Sequence, residues 1–415
     1  MDLSNIPEEK LSKYLEGVIT SFQTIREKME VGTKYYNYEQ DIDKKVRAVV
    51  GADGKLITVR GLPNTIIKDN QYARALDQKR NFILAEKPNI DSDDDSLIEY
   101  VDEFMNKRFM RTMNYIAIDS YNCGIAWLYI YTDGEEIKYK KLDPLDVIPI
   151  WTDDTHESLE GVIRFVTKEE FDGNEFKKKQ YVYFYTLEKI RIYKYENGQL
   201  EFALDEAYLE KEDKIYSYKK LPFVYFKQPF ELPLIDKVKC LQDALNLLLS
   251  NYADNMFENP MNSILVLKNY EGEDLGKFRQ NLAQFRSIKV RTADGSQGGV
   301  ETLEVEVNAE NYKVIIEMLK KAIAHNARSL YLDNEKTSNA PNTLNIKAMY
   351  SDMELDANAM ELEFVASFEY MFDFIGIIEN MNFEDLDIQF KRNMMVNEES
   401  MVQMIIDSNG IVSEE

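Results

Sequence analysis

With 415 residues, the chain is long enough for two or three domains with real cores. Its 44% hydrophobic and 12% aromatic content is that of a globular protein and excludes a mainly disordered chain. Fifty Lys and Arg against 74 Asp and Glu give a formal charge of −24, whereas an ordinary nucleic-acid binder gains affinity by neutralising phosphates.

That charge fits two readings. One is a soluble acidic protein of any kind; the other is a surface that must touch DNA without holding it. No apolar run approaches the eighteen or so residues of a membrane span, and "MDLSNIPEEK" lacks the basic start and apolar core of a signal peptide. Two cysteines far apart, Cys123 and Cys240, suggest a reducing compartment and no disulfide framework. The chain is expected to be made in the cytoplasm.

In chain order, Glu8 to Glu30 reads as an amphipathic helix opened by Pro7. The tyrosine-rich "KYYNYEQDI" follows, then a helix in "DNQYARALDQKRNFILAEKP" ended by Pro88. From Ser96 one helix is expected up to Gly124, with acids massed at its start. The middle is β-rich: strand-like runs flank Asp133-Gly134 and Asn197-Gly198, dipeptides suited to tight hairpins, and "KKLPFVYF" adds a short strand.

After Pro233 a helix carries apolar residues at Ile235, Val238, Leu241, Leu245, Leu248, Tyr252 and Met256 and ends at Asn259-Pro260. A short α/β insert follows, and a second helix starts near the N-cap residue Asn308. The polar run Thr337 to Thr343 then feeds a very long helix. Its apolar positions are Ile346, Met349, Met353, Ala357, Met360, Phe364, Phe368, Met371 and Ile375. At 1.5 Å per residue it would be roughly 45 Å long, more than a compact domain usually needs. At the end, "SNGIVSEE" places Ser413 as an N-cap before Glu414 and Glu415, a start signal for a further helix.

Catalytic groups are sparse. His325 falls on a helix and His156 in the polar loop "WTDDTHES", and both are read as structural or solvated. Asp91, Asp93 and Asp95 have calcium-loop spacing, but Ser96 and Asp102 stand where such loops need glycine and a bidentate glutamate, so an acidic helix start is preferred. There is no Gly-rich phosphate loop. No catalytic, cofactor or metal site is assigned, and the chain is not expected to be an enzyme.

Along nearly its whole length, the chain resembles the portal proteins of tailed bacteriophages and prophages in their siphophage-type form. The likeness rests on Tyr35-Tyr36, "GIAWLYIYTDGEEIKYKKLDPLDVIPIW" from Gly124, "LPFVYF" from Leu221 and "LIDKVKCLQDALNLLLSNYADN". It continues through the loop and long helix after Thr337 and "IQFKRNMMVNEES" from Ile388. The family often has a glycine two residues after the tyrosine pair, where this chain has Tyr38, and a Gly-containing segment where it has "SNAPNT".

The resemblance implies an α+β portal-type fold that assembles as a ring, a homo-dodecamer in the virion, at one capsid vertex, with double-stranded DNA passing through it. It places an α+β wing at 1–233, stem helices at 234–260 and 308–330, and a clip at 261–307. A tunnel loop at 331–343, the long wing helix at 344–376 and the start of a helical crown at 377–415 follow. Family members continue beyond this point, so the 415 residues are expected to be a truncated form of a longer protein.

The implied partners are other copies of the chain, DNA held weakly and without sequence preference, the terminase packaging ATPase, a head-completion adaptor, and the capsid and scaffolding proteins. The tunnel loop would present Asp333, Asn334, Glu335, Lys336, Ser338 and Asn339, though the same run also reads as an ordinary surface loop. Lys277, Arg279, Arg286, Lys289 and Arg291 form an acid-free basic segment within the expected clip. It is either a solvated face or a docking surface. Leu245, Leu248 and Leu249 are expected to form an exposed apolar face that neighbours cover during assembly. The alternative from another class is an acidic α+β metal-dependent or small-molecule enzyme.

Overall fold

A computed structural model describes residues 6–50, 55–58, 63–133, 136–171, 175–211, 214–216, 219–258, 264–268, 299–303, 309–331 and 343–392. The chain forms two compact units. The first comprises Met1–Glu39, Asn70–Cys240 and Lys321–Glu415, and the second Gln40–Asp69 with Leu241–Lys320. Gln40–Asp69, expected within the wing, thus belongs with the segment expected to form stem and clip.

In the first unit, helix α1 (Glu8–Tyr36) begins after Pro7 with Glu8 and Glu9 in its first turn and Lys34 in its last, as the helix dipole favours. Helix α2 (Gln71–Leu84) is capped by Asn70, whose side chain accepts from the Ala73 amide at 3.1 Å. The single helix expected from Ser96 is two helices, α3 (Asp95–Phe104) and α4 (Lys107–Cys123). Asn106 causes the break, because its Oδ1 accepts from the amides of Arg108 at 2.9 Å and Phe109 at 3.1 Å. A short polar side chain that can cap the next turn competes with helix continuation.

Both expected hairpins form. Strands β4 (Ile125–Asp133) and β5 (Glu136–Leu142) pair around one, and β9 (Ile190–Glu196) and β10 (Gln199–Glu206) around the other. Asn197 and Gly198 have φ of 52° and 82°, the positive values such a turn requires. Strand β13 (Phe223–Lys227) joins the other edge of β4, giving a three-stranded sheet. A five-stranded antiparallel sheet runs β10-β9-β8-β7-β6, with β6 at Val147–Trp151, β7 at Leu159–Phe171 and β8 at Phe176–Tyr185. A small pair, β11 (Leu209–Lys211) and β12 (Lys214–Tyr216), lies beside these sheets in sequence.

Alternation along the strands builds the layers. Ile163, Phe165, Val182 and Phe184 face Leu11, Leu15 and Ile19 of α1. Val162, Tyr183 and Tyr185 point the other way, into a core with Trp127, Phe223 and Tyr225 of the three-stranded sheet. The far face of that smaller sheet packs on helices, with Phe109 of α4 edge-on to Tyr139 at 5.2 Å.

The long helix, Thr343–Glu379, belongs to this layer. Of its expected stripe, Met353, Ala357, Met360, Phe364, Phe368, Met371 and Ile375 are all buried. Phe364 and Phe368 meet Phe226 of β13 at 5.1 and 5.6 Å. The stripe is therefore core within one chain, and its length follows from the row of elements it covers. Strand β16 (Asp387–Gln389), within the expected crown, pairs with β3 (Asn89–Asp91) in the same unit.

The second unit contains β1 (Ala48–Val50) with β2 (Leu56–Thr58), and β14 (Ile264–Lys268) with β15 (Gly299–Leu303). The two expected stem helices are Ile235–Glu258 and Ala309–Asn326, the second ending short of Leu330. Arg328, with φ of 51°, terminates it in the left-handed region.

Helix α1 crosses α4 so closely that a Cβ on Gly32 would lie 2.0 Å from the Asn122 carbonyl oxygen, whereas one on Gly17 would meet open space. Gly32→Ala should cost on the order of 1–3 kcal/mol by forcing the helices apart. Gly17→Ala on the same helix should stabilise by roughly 0.5–1 kcal/mol. Urea unfolding of both variants checks this, and equal effects would show that the crossing yields freely.

Candidate functional site

The first expected stem helix, α5 (Ile235–Glu258), carries a feature its apolar stripe conceals. Gln242, Asn246, Ser250 and Asp254 recur every fourth residue, share one face and are fully buried. Buried polar groups need partners, and here the preceding segment of the same unit supplies them. Asp254 Oδ1 accepts from the Thr65 amide at 2.6 Å, Ser250 Oγ from the Ile67 amide at 3.0 Å, and Asn246 Oδ1 from the Asp69 amide at 3.1 Å. Gln242 donates to the Asp69 carbonyl at 2.8 Å and to Asn246 Oδ1 at 3.0 Å. Asn246 also donates to Gln40 Oε1.

Two residues of extended chain advance about 6.6 Å, and four residues of helix about 6.0 Å. Alternate amides of 65, 67 and 69 therefore stay in step with side chains at 246, 250 and 254. The helix offers hydrogen-bond acceptors to a chain that has no strand partner there.

Asp254 carries most of the charge in this network. Lys45 Nζ lies 2.5 Å and Arg47 Nη1 3.2 Å from its Oδ2. Burial pushes the Asp254 carboxyl up, but the bonds from Lys45 and Thr65 outweigh it and hold the pKa below the ordinary value. Near the other end of the segment, Lys320 pairs with Asp69 at 2.7 Å. The signal available in sequence was the repeat of four polar residues at a spacing of four.

In the first unit, Lys79 of α2 is almost wholly buried. It pairs with Asp356 of the long helix and donates to the Ala327 carbonyl at 2.8 Å. Burial lowers its pKa to about 8 despite the opposing pull of Asp356. One ammonium thus fastens residues on both sides of the 332–342 stretch. No sequence pattern marked it, because a lysine on a helix ordinarily faces water.

His156 adopts φ of 57°, stacks on Trp151 at 4.9 Å and bonds through Nδ1 to Glu231 Oε1 at 2.7 Å. Phe230 and Glu231 also have positive φ, 62° and 53°. The Glu231 carbonyl would lie 2.1 Å from a Cβ on Gly124, so only glycine fits the αL cap of α4. The pair joins the loop after β6 to the turn after β13. Asp94, in the run that mimics a calcium loop, is an N-cap whose Oδ1 accepts from the Ser96 amide at 2.9 Å.

Asp333, Asn334, Glu335, Lys336, Ser338 and Asn339 lie outside the described residues, as do Lys277, Arg279, Arg286, Lys289 and Arg291 and the expected helix start at Ser413. Asp133-Gly134 and Asn308 are likewise only partly within them or outside. The expected leucine face needs correction. Leu245 is fully buried within the chain and exposes nothing, Leu248 and Leu249 are half-buried, and the exposed leucine is Leu247. The buried polar stripe displaces the apolar one, so the helix has less free surface than its leucines suggest.

The chain matches the family described as "Phage portal protein, SPP1 Gp6-like" over residues 15–415. It is 27% identical over 416 residues to the portal protein of Clostridium phage phiCD119, covering 96% of this chain and 90% of that protein. With the portal protein of Bacillus phage SPP1 the identity is 25%, over 92% of this chain and 78% of that protein. Matched over nearly its whole length, the chain is a structural component of a phage particle. It belongs to the phage portal protein family, whose role in DNA packaging and as a channel it shares.

The charge network on α5 has a measurable pH signature. Asp254→Ala leaves Lys45, Arg47 and the Thr65 amide without their acceptor and should cost on the order of 3 kcal/mol at pH 7. The folded carboxyl titrates below its unfolded value of about 3.9, so its contribution is complete above that value. It is lost as pH falls through the folded pKa. Wild type and Asp254→Asn should therefore differ in denaturant midpoint at pH 7 and converge toward pH 3. A gap that stays constant over this range would show that Asp254 is not held ionised by the network.

Proposed function

We propose that copies of this chain form a ring at one vertex of the capsid, a homo-dodecamer in the virion, assembled in the host cytoplasm. Double-stranded DNA passes through its channel during packaging and ejection, and the ring joins head to tail. The observation that carries this reading is the match to the portal family from residue 15 to residue 415, with 96% of the chain aligned to the phiCD119 portal protein. The formal charge of −24 supports it physically. Each Lys or Arg contact to a phosphate would hold the moving duplex, and a predominantly acidic chain keeps such contacts few.

On this reading α5 and the helix Ala309–Asn326, here α6, are the stem, and 261–307 the clip. Lys277, Arg279, Arg286, Lys289 and Arg291 then serve as a docking surface for the terminase packaging ATPase or the head-completion adaptor. Leu248 and Leu249, with Leu245 removed from the set, contribute to assembly. The wing meets the capsid and scaffolding proteins. Asp333 to Asn339 line the channel, where the charges of Asp333, Glu335 and Lys336 nearly cancel and Asn and Ser offer hydrogen bonds that exchange easily.

Native mass measurement of the purified chain tests the ring directly: a monomer or small oligomer at all concentrations would refute it. Lys336→Glu should impair DNA packaging or retention while rings still assemble. Arg at Asp333 and Glu335 should slow packaging most at low salt, where phosphate contacts are strongest. If both variants package at the wild-type rate, the loop does not line the channel.

A further inference from the structure

Many of the described cations are bonded to carboxylates, such as Lys141 to Asp119 and Lys179 to Glu170, but three that share one surface are not. Lys140 of β5 and Lys168 of β7 are exposed, Arg164 of β7 is half-buried, and none has an ion pair to a carboxylate among the described residues. The acids near Lys168 are engaged elsewhere or distant. Glu170 bonds Lys179 at 2.6 Å and Tyr181 at 2.5 Å, and Glu206 acts on Lys168 only at longer range. Asp146 influences Arg164 without pairing with it.

Tyrosine rings hold these cations in place. Lys140 Nζ lies 5.3 Å from the Tyr129 ring and 5.4 Å from that of Tyr131, and Arg164 approaches Tyr129 at 6.0 Å. Lys168 lies 5.4 Å from both Tyr181 and Tyr183. Register explains the grouping: Tyr129 opposes Lys140, and Arg164 opposes Tyr183. Tyr129 and Tyr185, 5.9 Å apart, join the two sheets into one surface. Burial, and after it the neighbouring Arg164, lower the Lys140 pKa.

Each of these rings already carries a cation of the chain, and Tyr129 also stacks on Tyr131 at 5.8 Å, which leaves little ring surface for nucleic-acid bases. What the surface offers is a row of fixed positive heads suited to carboxylates. The chain carries a complementary group on the opposite side of the same small sheet. Tyr139, which points away from Lys140, touches Phe104 of α3 at 5.6 Å. Helix α3 opens in the run Asp91 to Glu103, which holds seven acids and no base, with Asp91, Asp93, Asp94 and Asp95 all exposed.

We propose that the Lys140–Arg164–Lys168 surface of one copy docks the exposed aspartates at the start of α3 in the next copy. The two patches differ and sit on opposite sides of a sheet, so the contact is head-to-tail, the type that closes into a ring when the rotation permits. This rests on the ring reading above and names the charge pairing that sets its register.

The test uses the full chain and native mass at about 0.15 M salt, where surface charges still interact over about 8 Å. Lys140→Glu with Lys168→Glu should lower the ring fraction by about tenfold or more, and so should Asp93→Lys with Asp95→Lys. All four changes in one chain restore charge complementarity and should restore rings. An unfolded pair of variants would not be rescued in this way, so recovery separates docking from folding. Wild-type rings with unaffected variants overturn the docking alone, as does failure of the fourfold variant to recover. So does retention of rings by Lys140→Glu with Lys168→Glu together with lost binding to a short DNA duplex, which would assign the surface to phosphates. A wild-type chain that never forms rings overturns both readings.

Discussion

The second unit depends on a match between two repeats. A helix that buries Gln242, Asn246, Ser250 and Asp254 would be untenable alone, because each desolvated polar group costs free energy until it is bonded. The segment carrying Thr65, Ile67 and Asp69 has the converse need, with amides that no strand satisfies. Two residues of extended chain and four of helix advance by nearly the same distance, so each satisfies the other several times in succession. The ends are held by charge, Asp254 by Lys45 and Arg47 and Asp69 by Lys320. A slip by one residue would leave the whole set unpaired at once, and this all-or-none penalty fixes the register.

The first unit solves a different problem with apolar layers. Strand alternation sends one set of side chains of the five-stranded sheet to α1 and the other to the three-stranded sheet. Helix α4 and the long helix cover the far side through aromatic contacts centred on Phe226 and Phe368. Lys79 interrupts this apolar scheme, and its bonds to Asp356 and the Ala327 carbonyl are what make its burial tolerable. The buried ammonium thereby ties α2 to the long helix and to the residue just after the helix Ala309–Asn326, all within this unit.

Much of the fold was legible along the chain. The stripe from Met353 to Ile375 identified the long helix to within a few residues, and Asn197-Gly198 identified its hairpin. These succeed because the governing forces are local: a period of 3.6 residues, or a turn that demands positive φ. Asn106 carried a local cap signal as well, but the longer apolar pattern hid it and two helices read as one. Of the candidate site, the leucines of α5 were read as an outer face, whereas Leu245 lies buried.

By itself, the sequence determined the class of the molecule: acidic, α+β, poor in catalytic groups, and a phage portal by the order of its motifs. Portal identity is legible because it is spread over the whole chain as composition and order, which need no contact to be read. Only the tertiary structure decided that Gln40–Asp69 belongs with Leu241–Lys320, that Lys79 is buried with Asp356, and that Lys140, Arg164 and Lys168 share one surface. Each of these joins residues far apart in sequence through bonds or ring contacts. A lysine, a serine or an aspartate looks the same in sequence whether water or a distant part of the chain supplies its partner.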